Sequence, residues 1–132
     1  MQTSRLKTFQ FSGFPTVDAT NTSDGINIVG AKRVTIVFEE LGTVNNRSGV
    51  LTLTGQLEKD GTYYAINGLV DNVSNAITEG IVRVANKTRN ANGANILALP
   101  MEFGWQNIKA TVTVTDGGSP TGFFQVKAFL EY

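Results

Sequence analysis

A chain of 132 residues with eleven basic and eleven acidic side chains carries no net charge. That balance argues against a surface built to displace counterions from nucleic acid or to lie on anionic lipid. Histidine and cysteine are both absent, which excludes Ser-His-Asp and Cys-His catalysis, the usual zinc sites, haem, iron–sulfur clusters and disulfides. No apolar run approaches the ~20 residues needed to span a bilayer, and the stretch from Met1 to Gly13 lacks the apolar core of a signal peptide. The expectation is a single soluble domain with no metal or cofactor, no nucleic-acid partner and no membrane partner.

Sixteen Thr, thirteen Val, fourteen Gly and twelve Asn are the composition of short strands joined by tight turns. Leu6–Phe11 reads as a first strand. The segment Ser12–Gly25 (SGFPTVDATNTSDG) reads as an extended arm or long loop, so residues 1–30 form a strand or arm that belongs to the same domain as a sandwich over 31–132. Ile26–Val29 is a short strand. In Arg33–Glu39, Val34, Ile36 and Phe38 share one face, with Val37 on the other. Leu51, Leu53 and Leu57 alternate with Thr52, Thr54 and Gln56, and Gly55 marks a place for a bulge or bend. Asp60-Gly61 then predicts a type I′ hairpin leading into a strand over Thr62–Ile66. Val70–Thr78 reads as a loop, and Ile81–Asn86 and Asn95–Leu99 as strands. Ala110, Val112 and Val114 alternate with Lys109, Thr111, Thr113 and Thr115. In the last strand Phe124, Val126, Ala128 and Leu130 face inward, leaving Phe123 and Phe129 outward. No window shows a convincing helical period. Eight or nine strands at this spacing predict an all-β, antiparallel two-sheet sandwich, with a jelly roll preferred over an immunoglobulin-like topology.

Carboxylate chemistry is the acid–base chemistry that remains, and it has no good constellation. Glu39 and Glu40 are adjacent and point to opposite faces of a strand, while Glu58 and Asp60 flank a turn where solvated charge is expected. Asp18, Asn21 and Asp24 could contribute to a calcium loop, but they lack the glycine and glutamate of an EF-hand, and ordinary turn chemistry explains them. Four Asn-x-Ser/Thr sequons, at Asn21, Asn46, Asn72 and Asn86, follow from a composition rich in Asn and Thr. The aromatics say more. Outward Phe123 and Phe129, with Val37, imply a surface covered by something: another copy, a larger assembly, or an N-terminal arm carrying Phe9, Phe11 and Phe14. Trp105, with Tyr63 or Tyr64, could instead stack on a sugar ring; alternatively Phe103 or Trp105 closes one end of the core.

Three groups of residues, read together, carry a resemblance. They are Arg33–Glu39 (RVTIVFE); Gly49–Leu57 followed by Asp60-Gly61-Thr62-Tyr63-Tyr64-Ala65-Ile66; and Leu99–Thr115 with the closing Phe123–Tyr132 (FFQVKAFLEY). In this order of strands and turns the chain resembles the small jelly-roll virion proteins of tailed bacteriophages, of the capsid decoration or cement type. The resemblance covers about residues 33–132 and has no catalytic motif. It implies a non-enzymatic structural protein, made in the host cytoplasm and carried on the capsid surface. It also implies a homo-oligomer, a trimer foremost, that bridges subunits of a major capsid protein. The alternative is a carbohydrate-binding or receptor-binding sandwich of a head or tail accessory protein.

Overall fold

β-Branched side chains keep the backbone extended and pack well on a pleated surface, and where they alternate with Thr, Lys and Gln the chain forms strands. The computed structural model describes residues 6–11, 19–41, 47–72, 77–78, 93–116 and 123–132. Its strands are β1 (Leu6–Phe11), β2 (Ala19–Thr22), β3 (Ile26–Asn27), β4 (Arg33–Leu41), β5 (Arg47–Gln56), β6 (Tyr63–Ala65), β7 (Leu69–Asp71), β8 (Ile77–Thr78), β9 (Gly93–Ala98), β10 (Asn107–Asp116) and β11 (Phe123–Glu131). Among the described residues there is no helix.

The strands form two antiparallel sheets. One has six strands in the order β1-β11-β4-β9-β7-β8, and the other runs β2-β10-β5-β6, with β3 also on β10. The pairs β1–β11, β2–β10, β4–β9 and β5–β6 are those of one long hairpin laid across itself. The contacts β11–β4 and β10–β5 roll that hairpin into two sheets, which is jelly-roll connectivity.

Several elements differ from the sequence expectation. The segment read as an arm contains β2, a strand on β10; residues 12–18 lie outside the described set. β2 and β3 are one interrupted edge. Thr22 faces Thr111 but Ile26 faces Ile108, so the register slips by one residue, as at a bulge. Buried Ser23 spans the slip: its N–H donates to the Ala110 carbonyl at 2.8 Å, and its Oγ accepts from the Ala110 N–H at 3.0 Å. The segment read as a loop over Val70–Thr78 contains the paired strands β7 and β8. The strand expected at Ile81–Asn86 lies outside the described residues.

The hairpin after β5 is where Asp60-Gly61 predicts it, with a different turn. The Gly61 N–H donates to the Glu58 carbonyl at 3.1 Å, closing a four-residue turn in which Asp60 alone is left-handed, at φ 61°. Type I′ requires positive φ at both central residues. Asp tolerates this conformation better than a β-branched residue does. Asp60→Val therefore lowers stability by about 1–2 kcal/mol, read as a fall in the urea midpoint at constant m-value.

Between the sheets lies one apolar core that includes Val34, Ile36, Phe38, Leu51, Leu53, Val112, Val126 and Leu130. Phe38 and Phe124 stack with ring centroids 5.6 Å apart. Two glycines on β5 make room for large rings, Phe124 from the opposite sheet and Trp105 from the turn that leads into β10. A Cβ at Gly49 would sit 2.7 Å from the Phe124 ring, and one at Gly55 would sit 2.5 Å from Cε3 of Trp105. Gly55 thus marks neither bulge nor bend; it is the floor of an aromatic seat.

Candidate interaction surface

Alternation that sends one set of side chains inward sends the other set out, and the registers align those outward residues into rows. On the six-stranded sheet one row runs Thr8, Phe129, Thr35, Ala98 and Val70 across β1, β11, β4, β9 and β7. The next runs Gln10, Lys127, Val37 and Ile96. Ile96 is 43 % and Val70 38 % exposed, while Val37 and Phe129 are half-buried among their neighbours. Charged pairs flank the apolar residues: Arg33 with Glu131 beyond the first row, and, in the second row beside Val37, Lys127, whose Nζ lies 3.5 Å from Glu39 Oε1. An apolar centre inside a charged rim is the anatomy of a protein–protein contact.

The opposite outer face is different in kind. On the five-stranded sheet, Thr20 bonds Thr113 at 3.0 Å and Thr22 bonds Thr111 at 2.8 Å through their hydroxyls. Thr52 and Thr54 continue the same face opposite Thr111 and Lys109. The two bonded threonine pairs satisfy each other, and the face as a whole presents hydroxyls outward. The two outer faces of one sandwich therefore have opposite characters.

The structure separates the residues singled out from sequence. Val37 and Phe129 lie in adjacent outward rows of one face. Phe9 and Phe11 do not cover that face, because β1 extends the sheet at its edge instead of crossing over it. They pair with inward Ala128 and Val126 and so turn toward the core; Phe11 is 3 % exposed and Phe9 38 %. As a contact residue Phe11 is corrected to a core residue. Phe14 lies outside the described residues, as does the side chain of Phe123. Sequence reasoning missed Val70, Ala98 and Ile96, because their place in the patch depends on β9 pairing with both β4 and β7. The signal was there in the outward Ile of Ala94-Asn95-Ile96-Leu97, but not its neighbours.

Trp105 is also corrected as a stacking platform. It is 8 % exposed, seated on Gly55, and its indole N–H is buried without an acceptor among the described residues. Its face is tilted against Phe103, with centroids 5.9 Å apart. Tyr63 is half-buried, with Lys109 Nζ 4.3 Å from its ring centroid, and Tyr64 is 53 % exposed on the edge strand β6. The three rings do not form one open platform. Beside Trp105 lies an open cavity of about 450 Å³, walled by the Ile28–Lys32 segment, Met101 and Gly104–Gln106. Asn21 and Asp24 are exposed and Asp18 lies outside the described residues. Among the described residues no group of three or more acidic side chains gathers as a metal site.

No protein-family model matches the chain, and no curated protein matches it in sequence. Its fold is similar to that of the SPBc2 prophage-derived protein YomS. The TM-score is 0.70 over 100% of this chain and 97% of that one, at 11% sequence identity.

Proposed function

We propose that this chain is a phage structural protein that decorates the capsid and stabilises it by bridging major capsid subunits as a trimer, without enzymatic activity. The observation that carries this reading is the contrast between the two outer faces. One is a threonine-rich face suited to water, and the other is an apolar centre flanked by charged pairs, suited to a protein surface. The shared fold with a prophage-derived protein over nearly the whole of both chains supports a phage setting. Stabilisation then follows from linkage, since a protein that binds only the assembled shell raises the free energy of taking it apart. A closed oligomer multiplies modest contacts by holding several copies at fixed spacing.

The test uses phage heads from a host carrying the gene, purified with and without the gene intact. The purified chain is added back to the deficient heads. The expected result is saturable binding to heads in a density gradient and a higher temperature for DNA release. Ile96→Asp and Phe129→Asp each place a charge in the apolar centre, and each weakens binding at least tenfold, about 1.4 kcal/mol or more. A chain that stays at the top of the gradient, or that sediments with tails alone, sinks the capsid reading.

A further inference from the structure

We propose that the end of the sandwich around Trp105 is the surface through which copies of this chain associate, Phe103 of one copy entering the cavity of the next with Glu102 opposite its Lys32. This goes beyond the capsid reading and does not depend on it. The first observation is the clustering of exposed apolar side chains. Eight large hydrophobic residues are exposed among those described, and four of them, Val29, Leu57, Tyr64 and Phe103, lie at this end. Val29 walls the cavity. Leu57 follows Gln56, whose carbonyl takes the Gln106 N–H at 2.8 Å. Tyr64 faces Gly55, on which Trp105 sits.

The second observation is a knob beside a hole. Phe103 is 68 % exposed, the most solvent-facing large apolar side chain described. It stands at the tip of a turn in which the Gly104 N–H reaches the Met101 carbonyl at 3.4 Å. Gly104 holds that turn at φ +66°, a left-handed value that glycine adopts readily. The cavity beginning at Gly104 is about 450 Å³, ample for an aromatic side chain. Phe103 already leans on the indole from outside the cavity, so it cannot fill the hole of its own chain without giving up that contact.

The third observation is charge. Lys32 walls the cavity and Glu102 adjoins the knob; both are exposed, and neither has an ion-pair partner among the described residues. Seating Phe103 in a neighbour's cavity brings these opposite charges to the same rim. With no net charge on the chain, no long-range repulsion opposes the approach. A second copy therefore fits better than a small ligand, which would leave both the knob and the two charges unused. Made reciprocally the contact gives a two-fold dimer, and made head to tail it gives a closed ring such as a trimer when its rotation closes.

Sedimentation velocity of the full chain, from micromolar to hundreds of micromolar, tests this without phage heads; a monomer would also remove the trimer from the capsid reading, whereas binding to heads is read separately in the density gradient. The wild type is expected to form a dimer or trimer. Phe103→Ser weakens association at least tenfold, while circular dichroism and a cooperative urea transition show an intact fold. Lys32→Glu and Glu102→Lys each weaken it several-fold, and the combined Lys32→Glu/Glu102→Lys chain recovers most of the loss. A wild type that is monomeric throughout, an oligomer indifferent to Phe103→Ser, or a charge swap without recovery overturns the proposal.

Discussion

Phe38→Ala is expected to lower the unfolding free energy by about 3–5 kcal/mol, the largest loss any single truncation in this chain should produce. Phe38 is fully buried and stacks on Phe124, whose ring occupies the space left by Gly49. Removing the Phe38 ring opens a cavity facing a second ring with no Cβ behind it to follow. Collapse would require Phe124 to leave the β5 backbone, so little of the cavity should close. Against a typical domain stability of about 5–15 kcal/mol, the variant is folded only marginally. Urea unfolding followed by circular dichroism measures the effect, and the comparison that gives it meaning is Phe103→Ala. The same chemical change at a position 68 % exposed should shift the stability of the dissociated chain, measured at low concentration, by no more than about 0.5 kcal/mol. Equal losses at the two sites would contradict this account of the core.

The four strands with period-two alternation, β4, β5, β10 and β11, were legible because each carries its own inward set, and burial follows that set except at the end of β5, where Gln56 is buried and Leu57 is exposed, the reverse of the expected alternation. The jelly-roll order was legible for the same reason: these four make the two central pairs, β11–β4 and β10–β5. The edges were not. β2 reads as loop because its Thr and Asn satisfy a strand only when the threonines of β10 stand opposite. β7 is three residues long and gains its place from β9. The patch on the six-stranded sheet was half legible. Outward Val37 and Phe129 follow from their own strands, whereas Ile96, Ala98 and Val70 join them only through long-range register. The arm, one of the three coverings considered for that face, took a local pattern for a tertiary one. Phe9 and Phe11 alternate correctly, but nothing local says whether a strand lies beside β11 or across it.

Gly55→Ala should also be costly, and for the opposite reason: it adds one methyl group where an indole already stands. The new Cβ would lie 2.5 Å from Cε3 and 2.8 Å from Cδ2 of Trp105, with Cδ1 of Ile66 at 3.1 Å. The ring cannot yield outward easily, because Phe103 leans on it, and Ile66 is itself fully buried. Overpacking of this kind costs about 1–3 kcal/mol. Trp105 is the one tryptophan in the chain and is now buried, so its emission should shift to longer wavelength as the displaced indole meets water. The expected signature is a coupling. Trp105→Phe removes the six-membered ring that carries Cε3, and also the N–H that lacks an acceptor among the described residues. In that background Gly55→Ala should cost at least about 1 kcal/mol less than in the wild type. Strictly additive losses would mean that the methyl group strains the β5 backbone and not the indole. The same displacement should loosen the turn that presents Phe103. Gly55→Ala is therefore expected to weaken self-association as well as stability, whereas Gly49→Ala, which crowds Phe124 at a different place in the core, should affect stability alone.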